Sequence, residues 1–114
     1  MISLLFKTKE NKMTNEQFMF HIEASFERRK ELLKKKKAFY ATGIDRLEQF
    51  HRAGSAQNIL PTEALIGMAT KHFTAITDMA KNPSEYTFNR WHEVLDDLRN
   101  YMDLLDALVT DVKE

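Results

Sequence analysis

Apolar residues recur every three or four positions along most of this chain, which is the period of an amphipathic helix rather than of a half-buried strand. The pattern predicts three long helices, at about residues 14–40, 61–80 and 88–112. The apolar stripes are Phe18, Ile22, Phe26 and Leu33 in the first helix, Leu65, Met68, Ala69, His72, Ile76, Met79 and Ala80 in the second, and Trp91, Val94, Leu95, Leu98, Tyr101, Met102, Leu105, Leu108 and Val109 in the third.

Local signals mark where these helices begin and end. Thr14 followed by Gln17 has the form of a capping box, in which each side chain bonds the other residue's backbone. Pro61 is tolerated in a first helical turn, and Glu63 suits the positive end of the helix dipole. Gly43 can adopt the left-handed conformation that ends a helix.

Between the first two long helices, residues 44–50 are predicted to form a short helix with Leu47 and Phe50 facing inward. Residues 54–58, which are small and polar, are predicted to form a loop.

The expected fold is therefore all-α: a bundle of three main helices plus a short one. It occupies residues 14–114 as one domain, after a leader at residues 1–13. Three helices leave a four-helix core incomplete, so we expect a homo-oligomer, a dimer or tetramer.

Composition narrows the classes of function. The chain has 114 residues, of which 43% are hydrophobic and 30% charged, as in an ordinary globular protein. It has no cysteine, which excludes disulfides, thiol catalysis and thiolate zinc sites. No apolar run approaches the ~20 residues of a membrane span. These features predict a cytoplasmic protein.

The net charge of zero hides an uneven distribution. Residues 28–37 hold seven bases, whereas residues 93–114 hold seven acids and two bases. This asymmetry suits self-association or an anionic ligand. We do not expect nucleic acid as a partner, because the domain is neutral overall and acidic residues interrupt the basic run. We expect a solvated basic face with local pairs such as Glu27 with Lys30.

Candidate chemistry lies on the last helix. Glu93, Asp97 and Asn100 follow an i, i+4, i+7 spacing and share one face beside Tyr101. Two carboxylates and an amide oxygen are suitable ligands for Mg²⁺; the alternative is a solvated acidic flank. Three further aspartates lie on the opposite flank and are expected to be solvated: Asp96, Asp103 and Asp106.

The helix before it contributes Lys71 and His72. Lys71 is expected to reach across the bundle toward Asp97 or Asn100. His72 falls inside the apolar stripe, so a core or interface histidine is more usual there than a general base. No histidine has another His or Cys at metal spacing, which excludes a zinc site.

Three segments of the chain resemble small phage and prophage proteins: residues 40–50, 60–72 and 91–105. The sharpest part is Asp-Leu-Arg-Asn-Tyr at 97–101, which is followed by leucines. Those proteins resemble in turn the MazG-like all-α nucleoside triphosphate pyrophosphohydrolases. The resemblance covers residues 40–108. It implies Mg²⁺ held by acidic pairs on adjacent helices, with the triphosphate bound to the metal. On this chain, it implies Glu93 and Asp97 as metal ligands and catalytic residues, Lys71 as a catalytic phosphate contact, and His72, Asn100 and Tyr101 as phosphate or ligand contacts.

The sequence departs from that family in two places. Glu93 lies four residues before Asp97, where the family has Glu-x-x-Asp. Between Leu65 and Ile76, where Glu-x-x-Glu is expected, there is no acid.

The sequence therefore leaves two hypotheses for the function. The first is a metal-dependent hydrolase releasing pyrophosphate from a (d)NTP, with at least three converging carboxylates. The alternative is a non-catalytic oligomeric protein that binds a nucleotide or a partner protein, with an exposed apolar or basic surface; the candidate apolar residues are Phe18, Phe20, Phe26 and Phe39.

Overall fold

The described part of the chain forms four α-helices. The structure is a computed structural model that describes residues 12–40 and 45–113, with the side chains of residues 12–35 and 45–110. The helices are α1 (Asn15–Tyr40), α2 (Glu48–Gln57), α3 (Pro61–Met79) and α4 (Phe88–Lys113), and a 3₁₀ turn at Pro83–Glu85 joins the last two. No strand is present in the described ranges. The all-α prediction is confirmed. The predicted helix stop at Gly43 lies outside the described residues.

Two helix starts form as the sequence predicts. At α1, the Gln17 backbone N–H donates to Thr14 Oγ1 at 3.1 Å, and the Thr14 N–H donates to Gln17 Oε1 at 2.9 Å. This reciprocal pair satisfies donors that the helix itself leaves free. At α3, Pro61 occupies the first turn, and the Leu60 N–H donates to Glu63 Oε1 at 2.9 Å.

The predicted loop at residues 54–58 is wrong. The α2 helix begins only at Glu48 and continues through this segment to Gln57. Asn58 then ends it in the left-handed conformation, with φ 58° and ψ 44°, and the Ile59 N–H donates to the Gly54 carbonyl at 2.9 Å. The small polar residues of this segment lower helix stability only weakly, so the helix can continue through them. The left-handed residue that ends α2 then allows α3 to begin a few residues later, at Pro61.

Gly54 is buried where the chain turns from α2 into α3. A Cβ atom there would lie 2.8 Å from the Ile59 carbonyl oxygen and 3.0 Å from the Pro61 nitrogen. We expect Gly54→Ala to destabilise the fold by about 1–3 kcal/mol, because backbone atoms must move and the usual helix preference for alanine is outweighed. Urea unfolding measures this. Gly67→Ala is the matched control, since nothing lies within 4 Å of its Cβ position, and it should raise stability; equal effects at the two glycines would contradict the steric account.

The α4 helix lies at the centre of the fold. Helix α3 packs against α4 extensively, α2 packs against α3, and α1 makes a smaller contact with α4. The core consists of Leu47, Phe50, Leu65 and Leu108, surrounded by partly buried Met68, Tyr101, Leu104 and Leu105. The inward orientation predicted for Leu47 and Phe50 is confirmed. No described helix is long and apolar enough to cross a membrane.

Candidate functional site

A cavity of about 210 Å³ lies where the four helices meet. Residues from every helix or its flanks line it: Leu33 from α1, Arg46 from the segment before α2, Gln49 and Phe50 from α2, Met68 from α3, and Asp97, Asn100, Tyr101 and Leu104 from α4. The wall therefore combines an apolar part with two amides, a guanidinium, a carboxylate and a phenol. Pockets with this combination bind small molecules in many proteins.

Asn100 is the unusual member of this wall. It is only 5% exposed, yet neither its Oδ1 nor its Nδ2 has a hydrogen-bond partner among the described residues. Nη1 of Arg46, which also lines the cavity, is likewise buried and unpartnered. Buried polar groups are nearly always hydrogen-bonded, and an unsatisfied one costs about 1–3 kcal/mol. Two residues of the cavity wall thus carry buried polar atoms that have no partner among the described residues.

Four of the residues singled out from the sequence come together at this cavity. Asp97, Asn100 and Tyr101 line it. His72 lies beside them: its Nδ1 is 4.0 Å from Asp97 Oδ2, and its ring centroid is 5.4 Å from that of Tyr101. The histidine is thus a partly buried interface residue that adjoins the cavity wall.

The other two predicted residues are placed elsewhere. Glu93 is exposed and pairs with Arg90 one turn earlier on the same helix. Lys71 is exposed on α3, and it is His72 that approaches Asp97.

Among the described residues, no group of three or more His, Cys, Asp or Glu side chains could hold a metal ion. The described cavity lining includes one carboxylate, Asp97, and does not fit a Mg²⁺ site built from several acids of one chain.

The expectation that Asp96 is solvated is wrong. Asp96 is 5% exposed and lies on the side of α4 that faces α1. It accepts hydrogen bonds from Ser25 Oγ at 3.3 Å, Arg28 Nε at 3.0 Å and Arg99 Nη1 at 3.2 Å. Arg99 Nη1 also donates to Ser25 Oγ at 3.2 Å. We call these four residues the polar cluster.

A second ion pair continues this contact along the two helices. Arg29 Nη1 lies 2.6 Å from Asp103 Oδ2, a carboxylate that is 59% exposed. Since Ser25 meets Asp96 and Arg29 meets Asp103, α1 and α4 run parallel. Asp106 is exposed, as expected.

One signal for the polar cluster was present in the sequence. Ser25 and Arg28 are three residues apart, as are Asp96 and Arg99, so each pair lies on one helix face. The spacing alone gives no reason to match those two faces with each other, because charged residues three apart are common on solvated helices.

His92 lies on α4 one turn before Asp96. Burial lowers the pKa of His92 below its usual 6.5, and the positive charge of Arg28 lowers it further, whereas Asp96 opposes the shift. The imidazole is therefore neutral at pH 7.

The first half of α1 exposes much of its apolar stripe. Phe18 is 49% exposed, Met19 54%, Ile22 39% and Phe26 48%. We call these four residues the α1 apolar surface. Phe20 is 75% exposed, but on a different side of the helix. Phe39 is among the residues whose side chains are not described.

The basic run forms the expected local pairs, Glu27 with Lys30 at 3.3 Å and Glu31 with Lys34 at 3.5 Å.

In comparisons with known proteins, no family model, curated protein or solved structure matches this sequence. The function must therefore be argued from the chain's own residues.

Proposed function

We propose that this protein is a non-catalytic helical protein that binds a small ligand in the cavity between the four described helices, with Asn100 as the central contact. The observation that supports this is the buried amide of Asn100, whose donor and acceptor both lack a partner among the described residues. A ligand that supplies an acceptor beside a donor would satisfy both atoms at once. Nucleobases and other cyclic amides have such an edge.

The size and charge of the cavity limit the ligand further. At about 210 Å³ the cavity is smaller than the ~300–1,000 Å³ of typical ligand pockets. It suits a single ring rather than a whole nucleoside triphosphate. Arg46 Nη1 offers a further donor, which favours a carbonyl or an anionic group on the ligand. The proposed ligand is therefore a nucleobase, or a nucleotide whose sugar and phosphates lie outside the cavity. The protein is proposed to act as a homo-oligomer.

Asn100→Leu tests this proposal, because leucine has a similar size and removes the unpaired donor and acceptor. We expect the variant to be about 1 kcal/mol more stable than the wild type without ligand, since it no longer buries an unsatisfied amide. It should also lose binding to a panel of nucleobases, nucleosides and nucleotides. Calorimetric titration measures binding, and urea unfolding measures stability.

The matched control is Asn89→Leu, which removes an exposed amide from the same helix. Its binding should equal that of the wild type. A wild-type protein that binds none of the panel would contradict the proposal. Binding that survives Asn100→Leu unchanged would contradict the role of this amide.

The pyrophosphohydrolase implied by the sequence resemblance is the second candidate, and Asp97 at the cavity wall is the observation that favours it. It predicts Mg²⁺-dependent pyrophosphate release from a (d)NTP. Because Asp97 would then be indispensable, Asp97→Ala should abolish that release, while Glu85→Ala, an exposed acid elsewhere, should not. No release from any (d)NTP with Mg²⁺ or Mn²⁺ would eliminate this candidate and leave the binding proposal intact.

A further inference from the structure

Arg46 is the exception among the arginines of this chain. Five of the six arginines pair with a carboxylate in the described structure: Arg28, Arg29, Arg52, Arg90 and Arg99. Arg46 is the sixth, and no ion pair joins it to another described residue. Its Nη1 is also buried without a hydrogen-bond partner in that part of the chain. A guanidinium stays protonated in proteins, so Arg46 keeps its charge at this position.

A buried charge without a partner costs more free energy than a buried amide without one. Arg46 is partly exposed, so water hydrates some of its guanidinium, but Nη1 is buried. The cavity wall contains one described carboxylate, Asp97. It lies 4.0 Å from Nδ1 of His72 and is not within ion-pair distance of Arg46. A negative group beside Nη1 would therefore stabilise the folded protein, and a ligand can supply it.

Arg46 and Asn100 line the same cavity of about 210 Å³. Among the described residues, four buried side-chain atoms lack a hydrogen-bond partner, and three of them belong to these two residues. One small molecule can therefore satisfy both side chains. Because the cavity suits a single ring, the negative group must be attached to the ring itself. A phosphate joined to the ring through a sugar would lie outside the cavity.

We infer that the ligand is a cyclic amide that carries a carboxylate, with the amide edge of the ring on Asn100 and the carboxylate on Arg46. This rests on the proposed function and narrows its ligand from nucleobases in general to rings with an acidic substituent. The planar guanidinium holds its N–H donors in a fixed fork that matches the two oxygens of a carboxylate. Hydrogen bonds to ionised groups are roughly twice as strong as those between neutral groups.

Matched pairs of ligands test the carboxylate. Orotate is uracil with a carboxylate on the ring, and pyroglutamate is pyrrolidone with a carboxylate on the ring. In calorimetric titrations of the full chain at neutral pH, the carboxylate of each pair should bind roughly 10-fold or more tightly than the unsubstituted ring, because it gains a charge-assisted contact.

Arg46→Gln tests the residue that is proposed to bind the carboxylate. The variant removes the charge, so the two members of each pair should bind it equally. Arg52→Gln is the matched control, because it removes the same charge from an arginine of α2 whose side chain is 72% exposed. The preference for the carboxylate should remain unchanged in this control. Without ligand, Arg46→Gln should also unfold at a higher urea concentration than the wild type, since it no longer buries part of an unpaired charge.

The outcomes separate this inference from the proposed function. If the uncharged rings bind but their carboxylates bind no more tightly, the inference is overturned and the cavity remains a binding site. The same holds if the preference survives Arg46→Gln, or if Arg52→Gln reduces it equally. A lower urea midpoint for Arg46→Gln would show that the protein itself stabilises this charge, which also overturns the inference. If neither the rings nor their carboxylates bind, both proposals fail.

Discussion

Phe50→Ala should lower the free energy of unfolding by about 3–5 kcal/mol, the cost of truncating a fully buried phenylalanine. Phe50 has no exposed surface and joins α2 to the rest of the core through Leu65 and Leu108. A protein of this size has only about 5–15 kcal/mol of stability in total, so this one substitution removes roughly a fifth of it or more.

The effect should be larger than average because the site cannot collapse easily. Phe50 also lines the cavity, so truncation enlarges a space that already exists instead of letting neighbours close in. Urea unfolding followed by circular dichroism measures the loss. Phe20→Ala removes the same ring from a side chain that is 75% exposed and should change stability by less than about 0.5 kcal/mol. Similar losses from the two variants would contradict the packing described for α2.

Asp96→Ala should cost about 2–3 kcal/mol. Removing one partner of a buried ion pair typically costs about 3–5 kcal/mol, because the remaining charge is buried alone. The expected cost is smaller here, since the side chains of Arg28 and Arg99 are 34% and 37% exposed and can be hydrated in part after the carboxylate is lost.

Asp103→Ala provides the comparison for Asp96→Ala. Asp103 also pairs with an arginine of α1, but its side chain is 59% exposed. An exposed pair of this kind contributes at most about 1 kcal/mol. Chemical denaturation of both variants should therefore show a clear difference. If Asp96→Ala were no more costly than Asp103→Ala, the polar cluster would not be the main attachment of α1 to α4.

The sequence predicts features that depend on neighbouring residues. Thr14 and Gln17 form their capping box, and Pro61 with Glu63 begins α3, because each signal acts within one turn of helix. The inward positions of Leu47 and Phe50 follow from helical periodicity in the same way. In contrast, the end of α2 depends on how closely Gly54 packs against the backbone of residues 59–61. The helix propensities of the individual residues do not predict this packing.

The candidate site was predicted in part. Asp97, Asn100 and Tyr101 share a face by spacing, and the cavity lies on that face. Arg46 and Gln49 complete its wall from α2 and the segment before it, which spacing within α4 cannot reveal. Asp96 illustrates the same limit: its burial is set by Ser25 and Arg28, 71 and 68 residues earlier.

The polar cluster has a consequence for how the molecule opens. Helices α2, α3 and α4 are joined by the apolar core, whereas α1 meets α4 through a smaller contact in which ion pairs are prominent. Ion pairs with partly exposed members weaken as the salt concentration rises, and apolar packing does not. Local unfolding should therefore begin with α1, at a free energy below that of the whole domain. Ionic strength would then control how often α1 detaches from an otherwise folded protein.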